Sequence, residues 1–229
     1  MKYPSYPEYE VSRWPDWKTI PKGWEARRLK FAATCNDEAL PETTEPDLEM
    51  SYVDISSVDL FRGVTAFESV TFENAPSRAR RVVRAGDSII STVRTYLKAI
   101  AHVEEPLENM IVSTGFAVIR PSSVLNARFL GYALQGARFV ASVVANSMGV
   151  SYPAINPSAL VCIPVTYPND LKEQGVIADF LDWKTGQIDA LIAKEFAPTL
   201  LTEYRTALIT AATTGKIDVR KVKIPKPVA

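Results

Sequence analysis

Residues 149–192 read GVSYPAINPSALVCIPVTYPNDLKEQGVIADFLDWKTGQIDALI and change character at Asn169. Before it lies a β-branched run punctuated by proline; after it a helical pattern continues to Gly215 with one interruption, Pro198. Pro168 precedes a candidate cap, and Asp170 with Glu173 has the form of a capping box. Ile177, Phe180, Leu181, Ile188, Leu191 and Ile192, then Leu200, Leu201, Tyr204, Leu208, Ile209 and Ala212, make an apolar stripe, with Asp179, Asp182, Lys194, Glu203 and Arg205 between them. Gly215 supplies the stop. Unbroken, residues 170–214 would form a rod about 68 Å long beside a domain whose radius of gyration is about 16 Å. Such a helix overhangs its domain, and its stripe needs another long helix to cover it. Pro198 removes the bond to the Lys194 carbonyl and is expected to kink or divide the rod at a cost of about 3 kcal/mol. The pair Leu181 and Ile188 is also out of phase by one residue with the pair Leu201 and Leu208, a shift that Pro198 is placed to absorb.

Upstream, residues 51–55, 64–72, 81–83, 88–93, 111–119 and 160–165 have β-like composition with turn residues near several of their ends. Across 125–144, Phe129, Leu130, Ala133, Leu134, Ala137, Val140, Ala141 and Val144 follow helical spacing. The class is mixed α/β, a strand-rich sheet with packed helices followed by the long C-terminal helix. The first 22 residues, with Trp14, Pro15, Trp17 and Pro21, have no period but many flat side chains suited to docking on a domain.

Composition, 47% apolar and 23% charged, is that of a folded globular protein. No run is long and apolar enough to span a bilayer, and the N-terminus has no signal-like apolar core, so a cytoplasmic location is expected. Cys35 and Cys162 lack metal-site spacing and read as buried free thiols. Formal net charge is zero, yet charge is segregated. Seven acidic and no basic residues fall within 36–54, whereas Arg78, Arg80, Arg81, Arg84, Arg94 and Lys98 face only Asp87 within 77–98. The basic segment is able to meet phosphates; its plainer use is to pair with the acidic one on a solvated face.

Catalytic signatures are missing: there is no phosphate-binding glycine loop, no GxGxxG, no HExxH and no GxSxG. His102 is the one histidine, which excludes sites built on two imidazoles, and it reads as a structural residue after a strand. Asn156-Pro157-Ser158 lacks the second proline and the aromatic of an amino-methylating tetrad. No catalytic residue and no metal ligand set emerges, and the chain is expected to bind rather than transform.

Read together, IPKGWEARRLK from Ile20, SRARRVVRAGDSIISTVRTYL from Ser77, STGFAVIRP from Ser113, GVSYPAINPSALVCIPV from Gly149, EQGVIADFLD from Glu173 and LTEYRTALITAATTGKIDVR from Leu201 resemble the specificity subunits of type I restriction-modification systems. The likeness runs in order over nearly the whole chain. It implies an N-terminal extension at 1–22, a DNA target recognition domain at 23–168, a spacer and dimerisation helix at 169–215 and a basic tail at 216–229. The family usually carries two such units in tandem, so the resemblance implies a half subunit whose long helix packs antiparallel, as a coiled coil, on that of a second copy. The interface would use Ile177, Leu181, Ile188, Leu191, Leu201 and Leu208, and helix length would set the separation of two DNA half-sites.

The implied partners are double-stranded DNA, a second copy, methyltransferase subunits and a motor-nuclease subunit. No cofactor is expected on this chain; S-adenosylmethionine, ATP and Mg would belong to the partners. Arg78, Arg80, Arg81 and Lys98 are the candidates for phosphate contacts, which position without specifying. Arg94, Thr95 and Tyr96, just after a strand, are candidates for reading bases, and Ser147, Met148, Ser151 and Tyr152 form a second candidate patch. The plain alternative for Ser151, Tyr152 and Asn156 is that they only close their loop. The rival function is an adaptor that docks other proteins on its helix without binding DNA.

Overall fold

The computed structural model describes residues 3–14, 17–194 and 197–225. Pro15 of the expected extension, residues 195–196 of the expected helix and residues 226–229 of the expected tail lie outside the described residues.

Two four-stranded sheets pack face to face. The first runs Ile100–Val103, Asp87–Ser91, Phe116–Pro121, Ala33–Cys35, all antiparallel. The second runs Glu68–Thr71, Glu49–Val53, Met110–Ser113, Ala79–Val82, with one parallel pairing, between Met110–Ser113 and Glu49–Val53. Because successive strand residues point to opposite faces, Ile89, Ala101, Phe116 and Val118 pack against Val53, Met110 and Val112 of the second sheet. Their neighbours Ile90, Ile100, Ala117 and Ile119 face the helices. The expected strand at 111–119 is two strands, one in each sheet. The chain crosses at Thr114–Gly115, where a side chain on residue 115 would press within 2.9 Å of Ile55 Cδ1.

The helical layer comprises α1 (Ala127–Gln135), α2 (Ala137–Ala145), α3 (Pro157–Leu160), α4 (Leu171–Ile192) and α5 (Pro198–Thr213). The helical spacing across 125–144 belongs to two helices, divided at Gly136, whose extended backbone ends α1 and starts α2. Asn126 caps α1 by accepting from the Phe129 N–H at 3.0 Å. Trp24–Arg28, which had no clear sequence signal, pairs with Pro164–Pro168 beside the helices.

The single overhanging helix expected over 169–215 is not what the chain forms. Helix α4 ends at Ile192, Ala197 takes a left-handed conformation (φ 45°), and α5 returns antiparallel along α4. The reason is local as well as tertiary. Pro198 occupies the first position of α5, where its missing N–H costs nothing. The stripe is covered by the same chain: Ile177, Phe180, Leu181, Ile188, Leu208, Ile209 and Ala212 share one core with Tyr6, Trp24, Phe129 and Leu134. Thr210 Oγ1 accepts from the Ala137 N–H at 2.9 Å, and Thr166 Oγ1 donates to the Thr213 carbonyl at 3.0 Å, tying α5 to α2 and to the Pro164–Pro168 strand. Arg205, expected on the polar face, is buried, with its Nε 3.0 Å from Asp189 Oδ1 on α4.

Asp170 caps α4 through the Lys172 N–H at 2.9 Å. Glu173 does not complete the expected box. Its carboxylate accepts instead from Tyr6 Oη (2.9 Å) and Trp24 Nε1 (3.0 Å), which anchors the N-terminal segment. Gly215 ends α5 at φ 68°, and the Lys216 N–H returns to the Ala211 carbonyl at 2.9 Å, the bond of a Schellman stop. No helix among the described residues is long and apolar enough to cross a membrane.

His102 sits on its strand against α1, so close to Gly131 that a β-carbon there would lie 2.6 Å from the His102 β-carbon. Burial pushes its pKa below the ordinary value of about 6.5, outweighing the nearby Glu104 carboxylate. The unfolded chain therefore takes up a proton at a higher pH than the folded one. Stability from this group is complete above about pH 6.5 and declines as pH falls through and below it. The denaturant midpoint of the wild type is expected to drop between pH 7.5 and 5 by more than that of His102→Gln; parallel pH curves for the two proteins would show that the imidazole does not contribute.

Candidate nucleic-acid interface

Between the strands Asp87–Ser91 and Ile100–Val103 the chain makes a short 3-10 turn, Thr95–Leu97, bracketed by two residues in the left-handed region, Arg94 (φ 49°) and Lys98 (φ 54°). Neither is glycine, and each such conformation costs about 1–2 kcal/mol, so surrounding bonds must hold the turn. They come from a second loop. Thr95 Oγ1 lies 2.8 Å from Ser147 Oγ, the Thr95 N–H reaches the Pro153 carbonyl at 3.4 Å, and the Ile155 N–H donates to the Thr92 carbonyl at 2.8 Å. The second loop is itself closed by a reciprocal backbone pair between Met148 and Ala154, at 2.8 and 2.9 Å. At its start Gly149 takes a left-handed backbone (φ 103°), and a β-carbon there would lie a crowded 3.1 Å from the Tyr152 carbonyl oxygen.

The two candidate patches, about fifty residues apart in sequence, thus form one platform. Across it the Arg94 guanidinium sits 5.2 Å from the Tyr152 ring centroid. Beside it opens a cleft of about 610 Å³ walled by Asp54, Arg78, Val93, Arg94, Thr114 and Tyr152. Arg78 Nη2 is 2.7 Å from Asp54 Oδ2, and its Nε donates to Tyr52 Oη at 3.2 Å. Burial alone would raise the Asp54 carboxyl; the Arg78 guanidinium and the Ile55 N–H outweigh it and hold the pKa below its ordinary value. The same ion pair raises that of Arg78. Among the described residues neither Arg94 nor Lys98 has a carboxylate within ion-pair distance.

Other candidates lie elsewhere. Arg80 is largely covered, stacked 4.6 Å over Phe72 and 3.7 Å from Glu42, and Arg81 is half-buried on the same strand. Arg84 pairs with Glu38 at 2.8 Å. Three arginines of the basic segment, Arg78, Arg80 and Arg84, thus meet carboxylates of the acidic one. Thr95 is buried and Ser147 half-buried, and both spend their hydroxyls on the platform's own bonds. Tyr96, Lys98, Met148, Ser151 and Tyr152 are exposed, but Lys98 opens towards a different groove, beside α2 and Leu60. Asp54 and Val93 belong to the cleft and escaped the sequence reading: Asp54 lies forty residues from Arg94 and joins it only through the tertiary fold, and Val93 read as the end of a strand. Of the interface candidates on the C-terminal helices, Ile177, Leu181, Ile188 and Leu208 are buried within their own chain, Leu201 is partly so, and Leu191 is exposed. Both cysteines are free and half-buried. No cluster of metal-ligating side chains occurs among the described residues.

No protein-family model and no curated protein matches the sequence. Solved structures do. The HsdS subunit from Thermoanaerobacter tengcongensis is 31% identical over 78% of this chain and 45% of its own, with a TM-score of 0.66. A chain from a structure addressing complex assembly and conformational transition of the type I R-M system is 27% identical over 91% of this chain and 53% of its own, at 0.69. The type I restriction-modification S subunit from M. genitalium, at 14% identity and 0.52, shares the fold alone. This chain spans about half the length of these proteins. With sheets, helices and ordered sequence likeness in agreement, the chain is similar to the specificity subunits of type I restriction-modification systems over about half their length.

Proposed function

We propose that this chain reads a short half-site in double-stranded DNA and supplies sequence specificity to a type I restriction-modification complex in the cytoplasm, with no chemistry of its own. The observation that carries the reading is the joined platform of the 92–98 turn and the 147–154 loop. It presents Arg94, Tyr96 and Tyr152 to solvent on backbone held rigid by its own bonds, within the fold of a specificity subunit. A guanidinium free of carboxylates suits the paired acceptors of guanine, and an exposed tyrosine packs on sugar or base. Methyltransferase subunits, carrying S-adenosylmethionine, would modify adenine, and a motor-nuclease subunit using ATP and Mg would cut unmodified DNA.

Arg94→Ala is expected to weaken binding to selected duplexes by about ten- to a hundredfold, the value of one bidentate base contact, with the fold intact because the side chain packs on the surface. Binding is read by fluorescence anisotropy in low salt. If the wild type retains no duplex from a randomised pool, alone or with its methyltransferase subunit, the DNA reading fails and the adaptor reading takes its place.

The two-copy form remains part of the proposal, by a route the folded-back helices favour. Helix α5 can leave α1, α2 and the Pro164–Pro168 strand of its own chain and take the same seats on a twin, so that buried contacts are exchanged rather than lost. Helices α4 and α5 would then join into a rod antiparallel to its partner, with a DNA-reading head at each end.

A further inference from the structure

The 148–152 loop carries apolar side chains where solvent exposure is greatest: Val150 is 101% exposed, Met148 82% and Tyr152 67%. The adjoining turn adds exposed Val93, Tyr96 and Leu97. Apolar side chains gathered at one exposed tip mark a contact surface. Its form is a narrow hairpin, closed at the base by the Met148–Ala154 pair and held to the turn through Thr95, Ser147 and Pro153. Beside it stand Arg94 and, across the cleft, Arg78. A rigid apolar point flanked by guanidinium groups fits a polyanion with stacked apolar faces inside it.

From this geometry we infer that the loop is a DNA wedge. Resting on the DNA-binding reading above, it inserts Val150, with Met148 beside it, between two base pairs, while Arg94 keeps its guanine contact next to the opened step and Tyr152 packs on that step. The unstacked step kinks the duplex. Preference among sequences then comes partly from how readily a step opens, pyrimidine–purine steps most of all, at positions where no hydrogen bond reads a base.

The test uses the full chain and 30-base-pair duplexes taken from a random pool by the wild type, labelled at both ends for energy transfer. Bound wild type is expected to bend them by about 20–90°, the range of side-chain wedges. The double variant Met148→Ser with Val150→Ser is expected, at saturating protein, to bind the same duplexes and leave them straight, whereas Val150→Leu bends them as the wild type does. Circular dichroism of each variant checks that the exposed loop is changed without loss of fold. Bound but straight duplexes with the wild type, or an equal bend with the double serine variant, overturn the wedge and leave DNA binding standing. Loss of methyltransferase assembly with the bend unchanged also overturns it and makes the tip a protein-docking surface. If the wild type retains no duplex at all, the underlying reading fails and the wedge with it.

Discussion

Leu181→Asp is expected to leave no cooperatively folded protein. Leu181 is 0% exposed and belongs to the core that joins α4 to α1 and the N-terminal aromatics. Removing a buried leucine side chain costs about 2–5 kcal/mol, and an unpartnered polar group adds several more. Against a total stability of about 5–15 kcal/mol, that removes most or all of the margin. Leu200→Asp is the contrast. At 66% exposure on α5 it is expected to shift stability by no more than about 0.5 kcal/mol. Thermal melts by circular dichroism separate the two. As part of an open seam between two copies, Leu181 would tolerate the change, giving a folded monomer with the wild-type melting temperature; that result would overturn the folded-back packing. Because exchange of α5 reseats the same contacts, Leu181→Asp damages the monomer and the two-copy form alike and does not isolate self-association.

Pro198→Ala does isolate it, and the expected shift is large. In the folded-back chain Pro198 is the first residue of α5 and costs nothing. In a continuous rod it would sit mid-helix, without a bond to the Lys194 carbonyl and clashing with it, at about 3 kcal/mol per chain. Alanine removes that penalty from both rods, so the dimerisation constant is expected to rise by roughly four decades, from about 6 kcal/mol over two chains. Ala197→Gly acts with the opposite sign. It relieves the left-handed backbone of the closed form by about 1 kcal/mol and weakens the rod by a similar amount. Sedimentation velocity over a concentration series reads both. Identical profiles for wild type, Pro198→Ala and Ala197→Gly would sink the exchange model, since none of its terms would then govern the assembly.

Much of this was legible from the sequence because it depends on neighbours a few residues apart. The β-like run at 88–93, the cap at Asp170, the stop at Gly215 and the helical spacing around Phe129 are local regularities, and each has its counterpart in the structure. The break at Pro198 was legible too, though not the direction the chain takes after it. Where the sequence misled, distant partners decided. Arg205 looks like a polar-face residue until the reversal brings Asp189 within 3.0 Å. Arg80 is a candidate for phosphate until Phe72 and Glu42 cover it.

By itself, the sequence determined the mixed α/β class, the ordered likeness to specificity subunits and the identity of the residues in the two recognition loops, because residue type and short-range spacing are written in the chain. Only the tertiary structure decided that those loops share a platform, that Asp54 and Arg94 line one cleft, and that the apolar stripe of the C-terminal helices is filled from within. An apolar stripe requires burial but carries no label for the surface that buries it. The choice between the chain's own core and a twin is made by the connection between α4 and α5 and by the seats on α1, α2 and the Pro164–Pro168 strand.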